Sequence, residues 1–126
     1  MPSKADRFLA QIALQRALCI ERGVESLISD GDSKLGFALS TQGRRPINGL
    51  RHRPEGGTSG WYLWCGEQLS QDAAFFSPLH ARHLLDRCPE AIRFLGLPPG
   101  YRFLLDGSDA DVWFDGSLLD GVAKAQ

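Results

Sequence analysis

The stretch Gly60-Trp61-Tyr62-Leu63-Trp64-Cys65-Gly66-Glu67 constrains the fold more than any other part of the chain. Alternation along an extended segment sends Trp61 and Leu63 to one face and Tyr62 and Trp64 to the other. A strand with large apolar side chains on both faces needs cover on both, so this segment is expected to be a central strand. Gly60 and Gly66 are expected to end it, because glycine weakens a strand and suits the turns beside one.

Around that strand the apolar periodicity changes along the chain. Ser3 followed by Asp6 has the form of a capping box and opens a helix over about 4–22, with Gly23 as its stop. At 100° per residue Ala5, Phe8, Leu9, Ile12, Ala13, Cys19 and Ile20 share one face. Arg16 falls in the middle of that face, its stem packing while its guanidinium reaches the rim, and Leu14 and Leu18 fall opposite. After the turn residues Ser29 to Ser33, Lys34 to Ser40 alternates as a strand with Leu35, Phe37 and Leu39 on one side. Residues 42–59, rich in arginine, proline and glycine, are expected to form one long irregular loop. Ser77-Pro78 reads as the N-cap and first position of a helix to Arg87, closed by Pro89 after Cys88. One or two further helical turns run to Leu95. Leu97-Pro98-Pro99-Gly100 then feeds a strand from Tyr101 to Leu105. A hairpin loop at Asp106 to Ala110 returns the chain as a strand from Asp111 to Asp115. The tail after Asp120 is expected to fray.

This order predicts an α+β class: an antiparallel sheet of about four strands, with an N-terminal helix and a central helix packed against it. Phe37, Trp61, Trp64, Phe76, Leu84, Phe103 and Trp113 are the expected core. At 126 residues the chain is expected to be a single domain, 1–126. A net charge of −1 exerts no global pull toward nucleic acid or membrane. Three widely spaced cysteines, Cys19, Cys65 and Cys88, argue against a disulfide framework and for a reducing compartment, with the cytoplasm as the expected location. No stretch of the sequence is apolar enough to span a bilayer or serve as a secretory signal.

Few constellations carry chemistry. Cys65, His80, His83 and Cys88 lack a tight Cys-x-x-Cys pair, so the spacing is not that of a zinc finger. Cys65 with His80 or His83 would make a thiolate pair and a small cysteine-dependent enzyme, but no third group orients the histidine. Asp106, Asp109 and Asp111 lack the EF-hand spacing and read as a hairpin tip able to meet a basic partner. Arg44, Arg45, Arg51 and Arg53 could meet phosphate or an acidic partner. A nucleic-acid module working through loop 44–53 is the remaining alternative, weakened by the lack of stacking aromatics beside His52. No cofactor or metal is implied.

Five segments together resemble a bacterial immunity-protein family of polymorphic toxin systems. They are Pro46-Ile47-Asn48-Gly49-Leu50-Arg51-His52, the Trp-rich strand itself, Phe75-Phe76-x-Pro78-Leu79-His80-x-x-His83-Leu84, Leu97-Pro98-Pro99-Gly100-Tyr101-Arg102-Phe103-Leu104, and Asp111-Val112-Trp113-Phe114-Asp115. The resemblance covers about 34–120. It implies a non-enzymatic protein that binds and neutralises a cognate toxin, encoded by a neighbouring gene, with no catalytic residues to carry over. Within that expectation Arg44, Arg45, Arg51, Arg53, Glu67, Asp106, Asp109 and Asp111 are the candidate contact residues.

Overall fold

A computed structural model describes residues 1–120 of the chain; the tail expected to fray lies outside the described residues. The Trp-rich segment is a central strand, as its two-sided apolar pattern predicts, but Gly60 lies within it rather than ending it, at a place where the His52 backbone leaves no room for a Cβ. The element order is α1 (Lys4–Arg22), β1 (Lys34–Phe37), β2 (Ile47–Arg51), β3 (Thr58–Cys65), β4 (Ser77–His80), α2 (Leu84–Arg87), β5 (Tyr101–Asp106) and β6 (Asp109–Phe114). Short 3-10 turns occupy Leu39–Thr41, Ala81–His83, Pro89–Phe94 and Gly116–Leu119. The six strands form one sheet in the order β4-β1-β3-β2-β5-β6. The class is α+β, but the sheet has six strands rather than about four, and it is mixed: β1 runs parallel to β3.

Two strands lie where the sequence predicts something else. β2 occupies the middle of the expected loop, pairing Ile47 with Cys65 and Arg51 with Trp61. Its Asn48, Gly49 and Arg51 are poor strand formers by composition, and long-range pairing overrides that preference. Phe103 lies against Gly49, where any Cβ would collide with its ring. β4 replaces the start of the expected 78–87 helix. Ser77 to His80 pair with Phe37 to Lys34 instead, and Pro78 sits at the sheet edge, where a missing N–H costs no ladder bond.

The N-terminal helix forms as predicted. Ser3 Oγ accepts from the Asp6 N–H at 3.0 Å, Asp6 accepts in return from the Ser3 N–H at 3.4 Å, and Gly23 closes the helix at φ +72°. Its buried face is turned from the predicted one. Phe8, Gln15 and Cys19 are buried, with Ile12 and Leu18 partly so, whereas Leu9 is 62% and Ile20 78% exposed and Arg16 is exposed. Gln15, two turns after Phe8 on the same side of the helix, joins the buried face although it is polar. Its amide exchanges two hydrogen bonds with the Ser29 backbone, at 2.9 and 3.0 Å, and so is satisfied inside.

The sheet has two unlike faces. Toward α1 and the 3-10 turn 89–94 it presents Trp61, Leu63, Phe103, Leu105, Leu35 and Phe37, all within the main core. Toward the other side point Leu50, Tyr62 and Trp64, which pack with Phe75, Phe76 and Leu118 into a smaller cluster. Among the described residues that cluster covers β1, β3 and β2 and leaves the β5–β6 half of this face open.

Candidate functional site

Cross-strand pairing decides which side chains share the open face. Asp106 pairs with Asp109, Leu104 with Asp111 and Arg102 with Trp113, and directly opposed residues project to the same side. Leu104 also pairs with Asn48, and Asn48 with Trp64, so all of these lie on the face of the smaller cluster. The three aspartates named from sequence are therefore neighbours on one surface, all exposed. The two-residue turn Gly107-Ser108, with Gly107 at φ +63°, sets this register.

The same register gathers charges at one end of the sheet. β2 begins where β3 and β5 end, since Ile47 faces both Cys65 and Leu105. Arg44 and Arg45 precede β2, Glu67 follows β3, and Asp106 to Asp109 turn beyond β5, which brings these exposed groups to a common rim. Arg44 lies against Gly66, and Arg45 Nη2 stands 3.9 Å from Glu90. Arg53 lies at the opposite end of β2, its Nε donating to the Leu119 carbonyl at 3.3 Å. The arginines thus form no continuous phosphate-tracking strip.

Arg51 is a correction. It is 2% exposed, and its guanidinium donates to the carbonyls of Ser59, Leu27, Leu95 and Leu97 while lying over the Trp61 ring. Burial holds its pKa down to about 10, so it stays charged at neutral pH. A side chain so enclosed is a packing element and offers nothing to a partner.

Trp113 is the second correction. Expected in the core, it is 40% exposed, and its neighbour Phe114 is 54% exposed, because β6 is the outermost strand beside β5. The Arg102 guanidinium lies 5.5 Å from the Trp113 ring centroid and donates to Asp115 at 3.2 Å. Hydrogen bonds from Ser117, with Arg102 beside it, hold the Asp115 carboxyl below its ordinary range. The result is a partly exposed tryptophan braced on a fixed cation, a rigid anchor of the kind protein interfaces favour. Its position on the sheet rim could have been inferred only from strand order.

The cysteine and histidine groups are arranged otherwise. Cys19, Cys65 and Cys88 are free and buried. The Cys88 S–H shares a hydrogen bond with Cys65, lowering the Cys65 thiol and raising that of Cys88, which burial raises further. His80 pairs with Lys34, at the Thr58 end of the sheet, whereas Cys65 ends β3 at the other, so the two are held apart. His83 instead faces Lys4 Nζ at 3.5 Å. Among the described residues no three His, Cys, Asp or Glu side chains are gathered to hold a metal ion. Iodoacetamide is expected to label none of the three thiols faster than the chain unfolds. Native labelling of Cys65 faster than free cysteine would restore a nucleophile reading.

Among the described residues no helix is long and apolar enough to cross a membrane. Residues 14–115 match the model of the Imm33-like domain, a span from the middle of α1 to the residue after β6. No curated protein and no solved structure matches the chain. A match over most of its length means that the chain belongs to the Imm33-like domain family, an immunity-protein family.

Proposed function

We propose that this chain is an immunity protein that binds a cognate bacterial toxin in the cytoplasm and neutralises it by occlusion, without chemistry of its own. The observation that carries the reading is the family match over residues 14–115, which includes all six strands. The open half-sheet suits the role. Its partly exposed Trp113 supplies a desolvatable anchor, and Asp106, Asp109 and Asp111 supply a field that speeds encounter with a basic surface. Glu67, Arg44 and Arg45 border the same end and would set orientation, while Arg53 stands apart.

The test is colony survival when the neighbouring open reading frame is induced in a naive host, with and without this chain. Rescue is the expected result; a toxic neighbour that kills equally in both strains would sink the reading. With a confirmed toxin, reversing Asp106, Asp109 and Asp111 together to lysine is expected to slow association by about 10- to 100-fold at low salt. Reversing Arg53 alone is expected to change it less than threefold, within the screened regime of an isolated surface charge. Equal effects of the two changes would move the interface away from the open half-sheet.

A further inference from the structure

The two edges of the sheet are built differently. β4 is four residues long and carries Pro78, which makes it a poor template for another strand. β6 is six residues long, has no proline, and no described strand lies beyond it. Its hydrogen-bonding phase follows from one bond: the Asp115 N–H donates to the Gly100 carbonyl, inward across the β5–β6 ladder. Inward and outward groups alternate along an antiparallel strand, so Trp113, Asp111 and Asp109 also bond inward. The N–H and C=O groups of Ala110, Val112 and Phe114 point away from β5, toward the open edge.

On the reading that the chain acts by binding a protein, we infer that the outer edge of β6 accepts an extended segment of that partner as a seventh strand. Main-chain bonds to Ala110, Val112 and Phe114 would supply the pairing, and the alternating side chains would select the sequence. On the open face the incoming strand meets Asp109, Asp111 and the Trp113 ring, which favour lysine or arginine. On the opposite face it meets Val112 and Phe114, which favour apolar side chains. The occupant is therefore a segment alternating basic and apolar residues. A second copy of this chain fits poorly. Antiparallel self-pairing centred on Val112 opposes Asp109 to Asp115, and pairing centred on Asp111 opposes that residue to its own copy.

The experiment uses the full isotopically labelled chain and a capped peptide alternating lysine and valine, with a glutamate–valine peptide as control. The lysine peptide is expected to shift the amides of Ala110, Val112 and Phe114 and slow their hydrogen exchange, while Asp109, Asp111 and Trp113 are protected from the start. Val112→Pro is expected to fold, because that N–H makes no bond to β5, and to abolish the response. Asp109→Lys with Asp111→Lys is expected to weaken it more than tenfold, and carries the test should the proline variant unfold. The inference is overturned by no response at millimolar peptide, by shifts confined to other strands, by equal binding of the glutamate peptide, or by concentration-dependent dimerisation through β6. Such a failure leaves the immunity reading intact, because colony survival does not depend on where the toxin docks. Failure of rescue with peptide binding intact removes the toxin and keeps the strand acceptor.

Discussion

Replacing Arg51 with alanine is expected to lower the unfolding free energy by about 3–9 kcal/mol, because three carbonyls lose their donor at about 1–3 kcal/mol each. The guanidinium donates to Ser59 O at 2.9 Å, Leu27 O at 2.8 Å, Leu97 O at 2.8 Å and Leu95 O at 3.2 Å. Leu95 O keeps other donors, Ser29 Oγ and Trp61 Nε1, but the remaining three lose this one. These carbonyls belong to the connection after α1, to β3 and to the segment before β5, so one side chain ties three parts of the chain together. A domain of this size has about 5–15 kcal/mol in total, so Arg51→Ala stands close to the unfolding threshold. Arg51→Lys keeps the charge but not the fork, and is expected to lose about half as much. Urea unfolding followed by tryptophan fluorescence measures both. A shift below about 1 kcal/mol for the alanine variant would mean that water replaces the guanidinium without penalty. A loss of toxin protection in Arg51→Ala would then trace to unfolding, and the lysine variant separates that from a lost contact.

That arginine also marks where the sequence stops being legible. Local signals held at the N-terminal helix, where the Ser3–Asp6 capping box and the Gly23 stop involve neighbours within a few residues. The equally local Ser77-Pro78 helix start did not hold, because pairing with β1 draws that segment into the sheet. Arg51, Gln15 and Gly49 are settled by partners far along the chain. Arg51 reads from sequence as a charged residue of an irregular loop and Gln15 is polar, yet each is buried because backbone groups from distant segments satisfy it. Gly49 reads as loop, but its missing side chain is what admits Phe103. The same limit governs the candidate site. The three aspartates were visible one by one as a hairpin tip, but the expected loop over 106–110 hid their shared face, which follows from a shorter turn that leaves Asp106 paired with Asp109 in the ladder. The exposure of Trp113 depends on β6 being outermost, a property of strand order that no local pattern contains. Aromatic content alone sends that residue to the core, where Trp61 and Trp64 do belong.

Trp61→Ala is expected to cost about 3–5 kcal/mol, the usual range for emptying a buried large aromatic site. The side chain is 1% exposed, its ring centroid lies 5.6 Å from that of Phe103, and Arg51 lies over it at 5.5 Å. Phe103 in turn stacks on Phe94 at 4.7 Å, so the cavity would open in the middle of a continuous aromatic layer. Trp61→Phe separates volume from hydrogen bonding. It removes the Nε1 donor to Leu95 O, but that carbonyl still accepts from Ser29 Oγ at 2.7 Å and from Arg51, so no orphan acceptor results. The expected cost is therefore only about 1–2 kcal/mol of lost packing. A double-mutant cycle joining Trp61→Leu to Arg51→Met then isolates the contact between ring and guanidinium. A desolvated cation over an aromatic face predicts a coupling of about 1–2 kcal/mol, whereas additive losses in urea melts would reduce Trp61 to a space-filler. Coupling of that size would explain how this chain holds a charge inside its core without a carboxylate: carbonyl dipoles surround the guanidinium and the indole face lies beneath it.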